Sequence, residues 1–254
     1  DVYPALVDRP MPARLVDLSR IAALQGISVS GERWRIGGAT TWTEIASAEL
    51  PPGLRCLQQA AREVGSVQIQ NRASVAGNLC NASPAADGVP PLLALDARVE
   101  LTGPEGVRNL AVGDFVLGNR KTARRPGEIL SAVLIPRATD AAGSAFVKLG
   151  ARRYLVISIV MVAATVRLDV AGRIVAASVA VGAASAVARR LPAVEARLVG
   201  VEAAALSSDI VAACDLAPLS PIDDVRATAA YRLEAAREII GRCLQQAVEA
   251  GGHA

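Results

Sequence analysis

Between Gly65 and Asp87 the chain runs Gly-Ser-Val-Gln-Ile-Gln-Asn-Arg-Ala-Ser-Val-Ala-Gly-Asn-Leu-Cys-Asn-Ala-Ser-Pro-Ala-Ala-Asp, a stretch of small, polar and turn-forming residues. Apolar segments flank it on both sides. Small side chains let another group approach the backbone closely, and Ser and Asn add short-range donors and acceptors. More than about twelve to fifteen residues without secondary structure are uncommon as a plain connection inside a domain. Any fold this chain adopts must therefore find a use for the stretch, which reads as a long loop forming the wall of a site.

The segments around it predict a mixed α+β architecture. Arg14–Leu18 reads as a short strand. Ile27–Val29 and Arg33–Ala39, joined by the turn Ser30-Gly31-Glu32, read as a hairpin with alternation at Trp34 and Ile36. Thr41-Trp42-Thr43-Glu44 fits a capping box, a hydroxyl followed three residues later by a glutamate, and starts a helix ending before Pro51-Pro52. A second helix spans Leu54–Val64, with Leu57, Ala60, Ala61 and Val64 on one face. Past the loop, Val89–Leu95 is a short helix begun at Pro90 and Pro91. Arg98–Thr102 and Val107–Ala111 make a hairpin, Asp114–Leu117 a helical turn, and Glu128–Pro136 a strand ended by proline.

Asp140-Ala141-Ala142-Gly143 marks the expected boundary between a domain over residues 1–140 and one over 141–254. In the second, Ser144–Leu149, Ile157–Asp169 and Arg173–Val181 are strands, the last two joined at Val170-Ala171-Gly172. Helices are expected over Leu191–Leu198 and Glu202–Ala213. A last helix, Val225–Ala250, carries a one-sided stripe of Val225, Ala229, Leu233, Ala236, Ile240, Leu244 and Ala247.

Composition narrows the function classes. Apolar residues make up 52% of the chain but aromatics only 3%, so the core rests on Ala, Val, Leu and Ile. A net charge of +3 with scattered arginines gives no nucleic-acid footprint. Cys56, Cys80, Cys214 and Cys243 lie far apart, which points to reduced thiols in a cytoplasmic protein rather than disulfides or a metal or iron–sulfur site. Val156–Val166 is too short to span a bilayer, and no signal peptide is read. The chain opens on Asp1-Val2-Tyr3-Pro4 without a starting methionine, so an N-terminal segment is expected to be missing. His253 is the lone histidine, which disfavours a Ser-His-Asp triad or a histidine metal site. Asp223-Asp224 reads as a charge pair at a helix N-terminus.

Within the loop, Ser74-Val75-Ala76-Gly77-Asn78 is a turn without bulky side chains, as a diphosphate requires if several backbone N–H groups are to converge on it. A purely structural turn is the competing reading. A second small-residue turn ends at Asp87, whose carboxylate is placed either to accept from sugar-type hydroxyls or to cap the next helix. No acid–base or metal set emerges, so no catalytic residue is assigned, which suits a chain whose cofactor carries the chemistry.

Gln68-Ile69-Gln70-Asn71-Arg72-Ala73-Ser74-Val75-Ala76-Gly77-Asn78, with Asn81-Ala82-Ser83-Pro84-Ala85-Ala86-Asp87 after it, resembles the second FAD-binding signature of the molybdenum-hydroxylase flavoprotein subunits. These are the medium subunits of xanthine dehydrogenase-like and carbon monoxide dehydrogenase-like enzymes. The family pattern is I-R-N-x-[AG]-T-[IV]-G-G-N. Departures here are Gln70 for Arg, Ser74 for Thr and Ala76 for Gly; a positive φ at Ala76 would cost roughly 1 kcal/mol. Arg14–Ile21, Gly127–Pro136 and Phe146–Leu149 with Arg152-Arg153 extend the likeness over most of the chain. The family's acidic residue just before Ile157 is replaced here by Tyr154, Leu155 and Val156.

The resemblance implies a PCMH-type FAD-binding domain followed by a C-terminal domain of antiparallel sheet plus helices. It implies FAD held by Ser74, Val75, Ala76, Gly77 and Asn78 on the diphosphate side and by Asp87 with Ser83 on the ribityl side. Lys148 would lie near the flavin, and Ile129 or Leu130 near the adenine or ring system; on its own Lys148 reads as a surface lysine. Asp1 would end the family's first glycine signature, A-G-G-T-D. The implied function is electron transfer from [2Fe-2S] clusters of a small partner subunit through FAD to an external acceptor, with a large partner subunit holding the molybdenum cofactor. A dimer of such heterotrimers is expected. The alternatives are a scaffold subunit that has lost FAD and a stand-alone flavin reductase of the enolpyruvyl type, the latter lacking a visible proton donor here.

Overall fold

The computed structural model describes residues 14–206, 211 and 213–251; Asp1 lies outside them. Two antiparallel sheets organise the chain. The first is formed by β1 (Ile27–Ser30), β2 (Arg33–Gly37), β3 (Arg98–Gly103), β4 (Gly106–Ala111) and β7 (Ile129–Pro136), in the order β1-β2-β7-β3-β4. The second has the order β11-β10-β9-β8, from β8 (Gly143–Leu149), β9 (Val160–Leu168), β10 (Ile174–Gly182) and β11 (Arg189–Arg190). A small ribbon, β5 (Val116–Gly118) with β6 (Lys121–Thr122), stands apart.

Helices fill the space between the sheets. The Thr41 capping box forms as expected, its side chain accepting from the Glu44 amide while Glu44 reaches back, and launches α1 (Trp42–Ser47). α2 (Arg55–Glu63) buries Leu57, Ala60 and Ala61. α5 (Val89–Ala94), after α3 (Val67–Gln70) and α4 (Val75–Asn81), begins on its two prolines. Leu57 and Leu92 from these helices share one apolar core with Ile36, Leu101 and Val133 of the first sheet and Phe146, Met161 and Ala180 of the second.

The second sheet is buried on both faces, which explains why Val160–Ala164 is an unbroken apolar run instead of alternating. Met161 and Ala163 point toward α2 and α5. Val160, Val162, Ala164 and Val166 point the other way, toward Ile240 and Leu244 of the C-terminal helix (Ala229–Gly251) and Val194 of α7 (Pro192–Leu198), which follows α6 (Val112–Phe115) in the chain.

Three expectations need correction. Arg14–Leu18 is not a strand: Leu15 and Val16 are exposed, the segment forms no ladder among the described residues, and Asp17 Oδ1 accepts from the Ser19 amide to turn the chain. Gly65–Asp87 is not a continuous loop but contains α3 and α4. The C-terminal helix begins at Ala229, not Val225, because Asp224 accepts from the Arg226 and Ala227 amides and holds that segment in a turn. Of the helix expected over Glu202–Ala213, the described residues contain a short turn at Ala203–Ala205, and the remainder falls partly outside them.

Candidate cofactor site

Ser74 sits at the N-cap of α4, its side-chain oxygen accepting from the Gly77 amide at 3.2 Å. Val75 and Leu79, four residues apart, bury the helix's inner face. The outer face, with Ala76, Gly77 and Cys80, forms one wall of a cavity of about 830 Å³. Ile129 and Leu130 at the start of β7, Gly38 just past β2 and Leu18–Arg20 line it as well.

The amides that the sequence offers to a diphosphate are already held within the protein. Val75 N–H donates to Thr40 O, Ala76 N–H to Gly38 O, Gly77 N–H to the Ser74 side chain, and Asn78 N–H to Ser74 O. What faces the cavity instead is side-chain chemistry. Its lining includes the guanidinium-bearing Arg20, Arg72 and Arg124 and the carboxylate-bearing Asp17, Glu44 and Glu128, of which Glu44 already accepts from Thr41 and Glu128 from Arg108. A dinucleotide needs both kinds: cations opposite its diphosphate and carboxylates for ribose hydroxyls. The volume lies within the range of pockets for ligands of this kind. The residues present therefore fit FAD, to which Ser74, Thr41 and the three arginines would offer polar contacts.

Ala76 lies within the helix, outside the left-handed region, so replacing the family's glycine there introduces no backbone strain. Gly38 is the residue whose smallness the geometry requires. A Cβ on it would stand 2.2 Å from Leu130 O and 3.2 Å from Ala76 Cβ. Sequence reading passed over Gly38, although a Gly-Gly pair ending an alternating strand was a signal of close backbone approach. It also left Arg20, Arg72 and Arg124 without a place in the site.

The other expected residues stand elsewhere. Val75 is fully buried in the core. Asn78 Oδ1 is buried without a hydrogen-bond partner, against Gly88. Ser83 lines a second cavity of about 480 Å³, at the far end of α4. Asp87 and Lys148 meet one another: Lys148 Nζ lies 2.8 Å from Asp87 Oδ2 and donates to Glu63 O at 3.0 Å, and Ser158 donates to Asp87 Oδ1 at 2.9 Å. Lys148 is thus no surface lysine; its side chain is 5% exposed. Burial pushes the Asp87 carboxyl up, and the Lys148 ammonium pulls it back.

Glu128 at the cavity edge is organised differently. Arg108 donates to it through Nε at 2.6 Å and Nη2 at 2.8 Å, the Arg125 amide adds a bond at 2.6 Å, and Arg124 donates to the Glu128 carbonyl. The Arg108 bonds bring the Glu128 carboxyl from 4.5 down to about 2. A depressed folded-state value means that this stabilisation is complete above pH 4.5 and is lost as pH falls toward 2. Chemical denaturation across that window should therefore show a stability slope that Glu128→Gln flattens. An unchanged slope would show that Glu128 does not carry it.

Residues 4–138 match the family model described as FAD binding domain in molybdopterin dehydrogenase, and residues 145–247 match the CO dehydrogenase flavoprotein C-terminal domain. The chain belongs to this flavoprotein family. It is 32% identical over 239 residues to the carbon monoxide dehydrogenase medium chain of Afipia carboxidovorans, covering 93% of this chain and 82% of that one. A nicotinate dehydrogenase FAD-subunit from Eubacterium barkeri is 35% identical over 165 residues, a match covering 63% of this chain and 56% of that protein. The fold superimposes on a crystal structure of Cu,Mo-CO dehydrogenase with a TM-score of 0.85, at 29% identity and over 92% of this chain and 82% of the other. The flavoprotein is thus an FAD-binding member of an oxidoreductase family. Among its described residues no helix is long and apolar enough to cross a membrane.

Proposed function

We propose that this chain is the FAD-carrying electron-transfer subunit of a molybdenum-dependent dehydrogenase. A small partner subunit with [2Fe-2S] clusters feeds it electrons from a large molybdenum-cofactor subunit, and an external acceptor drains them. One observation carries the reading: a cavity of about 830 Å³ pairs three guanidinium groups with carboxylates along a wall of small residues, in a chain of this family. Bound there, FAD supplies the two-electron to one-electron exchange. The protein's part is to bind and orient it, with Ser74, Ala76, Gly77, Ile129 and Leu130 against the cofactor. The Asp87–Lys148 pair ties β8 to the segment that follows α4. The proposal includes the division into FAD-binding and C-terminal domains near residue 140, a heterotrimer that pairs into a dimer, and residence in the cytoplasm.

The occupied amides of α4 favour a second reading, a scaffold that has lost FAD. The visible spectrum of the complex separates the two. A flavin band bleached by the complex's substrate is expected; a complex with its partners in place but no flavin would sink the first reading. Within the chain, Gly77→Val is the sharper probe. A Cβ there meets nothing but Ser74 Oγ at 3.2 Å and projects into open space at the cavity wall, so the variant should keep its fold and lose most of its FAD. Full flavin occupancy in Gly77→Val would place the cofactor elsewhere.

A further inference from the structure

Arg108 does not line the cavity assigned to FAD, yet it holds a residue that does. It lines a separate cavity at the turn between β3 and β4, and Glu128 belongs to the linings of both. Arg108 Nε lies 2.6 Å from Glu128 Oε1 and Nη2 lies 2.8 Å from Oε2, while Nη2 also donates to Ala123 O at 2.8 Å. The Arg125 amide donates to Glu128 Oε2 at 2.6 Å. One guanidinium on β4 thus grips both ends of the turn that runs from residue 123 to residue 128. Arg124 sits inside that turn. Its Nη1 donates to the Glu128 carbonyl at 2.8 Å, it lines the cavity assigned to FAD, and its charge reaches the Cys80 thiol on the α4 wall.

Charge decides what this arrangement does. The lining carries Asp17, Glu44 and Glu128 against Arg20, Arg72 and Arg124, so on its own it has no excess of either sign. A bare Glu128 carboxylate would repel a diphosphate and compete with it for Arg124, which is already bonded to the same residue. Arg108 cancels that carboxylate from outside the cavity, through two charge-assisted bonds in the fork geometry that suits a carboxylate. With Glu128 satisfied, the lining is left with a surplus of positive charge.

We infer that Arg108 is a positioning residue for the cofactor: by holding the Glu128 carboxylate it keeps the Arg124 guanidinium available to the diphosphate of FAD. This rests on the proposed function, in which the cavity lined by Arg124 holds FAD. Arg108 acts only through Glu128 and the turn. The bond from Arg124 Nη1 to the Glu128 carbonyl fixes the guanidinium at the cavity edge and leaves the rest of its donors for the ligand.

The test titrates FAD into the full chain freed of flavin and follows flavin fluorescence from about 0.01 to about 1 M salt, a range over which the screening length falls from about 30 to about 3 Å. Arg124→Met should weaken FAD binding about tenfold at low salt, the scale of one charge-assisted hydrogen bond, and flatten the salt dependence of the affinity. Arg108→Met should do both, although it removes no contact to the cofactor. Adding Glu128→Gln to Arg108→Met takes away the competing carboxylate and should restore most of the affinity and the salt dependence. A merely structural brace predicts the reverse: the double variant would bind no better than Arg108→Met, and the salt dependence would keep its slope. Either result overturns the inference, as does wild-type affinity in Arg108→Met or in Arg124→Met. Should Arg108→Met fail to fold, the double variant strands no charge and carries the comparison. Affinity near that of the wild type upholds the inference, and affinity as low as that of Arg124→Met overturns it. A folded wild-type chain that binds no FAD sinks the proposed function itself, whereas FAD binding that ignores Arg108 sinks only the role given to that residue.

Discussion

Gly38→Ala is expected to strip FAD from the protein and lower its stability by about 3 kcal/mol, the upper part of the range for overpacking a tight site. The added methyl would stand 2.2 Å from the Leu130 carbonyl oxygen, well inside van der Waals contact, and both partners are backbone. Neither can yield alone. Gly38 N–H donates to Ser131 O, locking the end of β2 to β7, while Gly38 O accepts from Ala76 N–H, locking it to the first turn of α4. Relieving the clash therefore moves β7 and α4 apart, and these are the two walls that present Ile129, Leu130, Ser74 and Gly77 to the cofactor. A 3 kcal/mol loss of binding is roughly a hundredfold in Kd. Flavin content after gel filtration and denaturant midpoints of the flavin-free protein measure the two effects. A variant that retains FAD and wild-type stability would show that the cavity is not built around this contact.

The contrast between Gly38 and α4 shows where sequence reading reaches and where it stops. Hairpins, the capping box at Thr41–Glu44 and the proline start of α5 depend on neighbours within four residues, and they were legible. The apolar run of β9 was legible as a strand, whereas its burial on both faces follows from the elements packed on either side. α4 was missed because Ser, Ala, Gly and Asn give it almost no hydrophobic periodicity. Its two clues were Val75 and Leu79 at a spacing of four and a serine cap ahead of them. The strand expected at Arg14–Leu18 failed for the opposite reason. Its local pattern was adequate, but a strand also needs a neighbour, and β1 pairs with β2 alone. Side-chain partners distant in sequence were beyond reach altogether. Arg108 with Glu128 and Arg190 with Asp96 depend on how the sheets and helices are stacked. The resemblance marked residues of the cofactor motif but left open which touch the cofactor and which hold the wall.

Asp87 and Lys148 make that distinction testable, because the pair is complete without any ligand. Lys148→Met should destabilise the flavin-free protein by about 3–5 kcal/mol, since removing one partner of a buried pair strands the other charge. Asp87 would be left with Ser158 alone among its present side-chain partners. At about 2–4 °C per kcal/mol, the melting temperature should drop by roughly 10 °C. The deficit should also depend on pH in a definite direction. Burial already raises the Asp87 carboxyl, and without the ammonium it rises further. A folded state that prefers the protonated acid loses stability as pH rises through that window. The loss should therefore be larger at pH 8 than at pH 5. Adding Asp87→Asn to Lys148→Met removes the stranded charge and should restore at least half of the loss, a coupling that a double-mutant cycle reads directly. If the flavin-free variant is as stable as wild type and only flavin affinity falls, then Lys148 serves the cofactor rather than Asp87, and the pair is a contact that FAD breaks on binding.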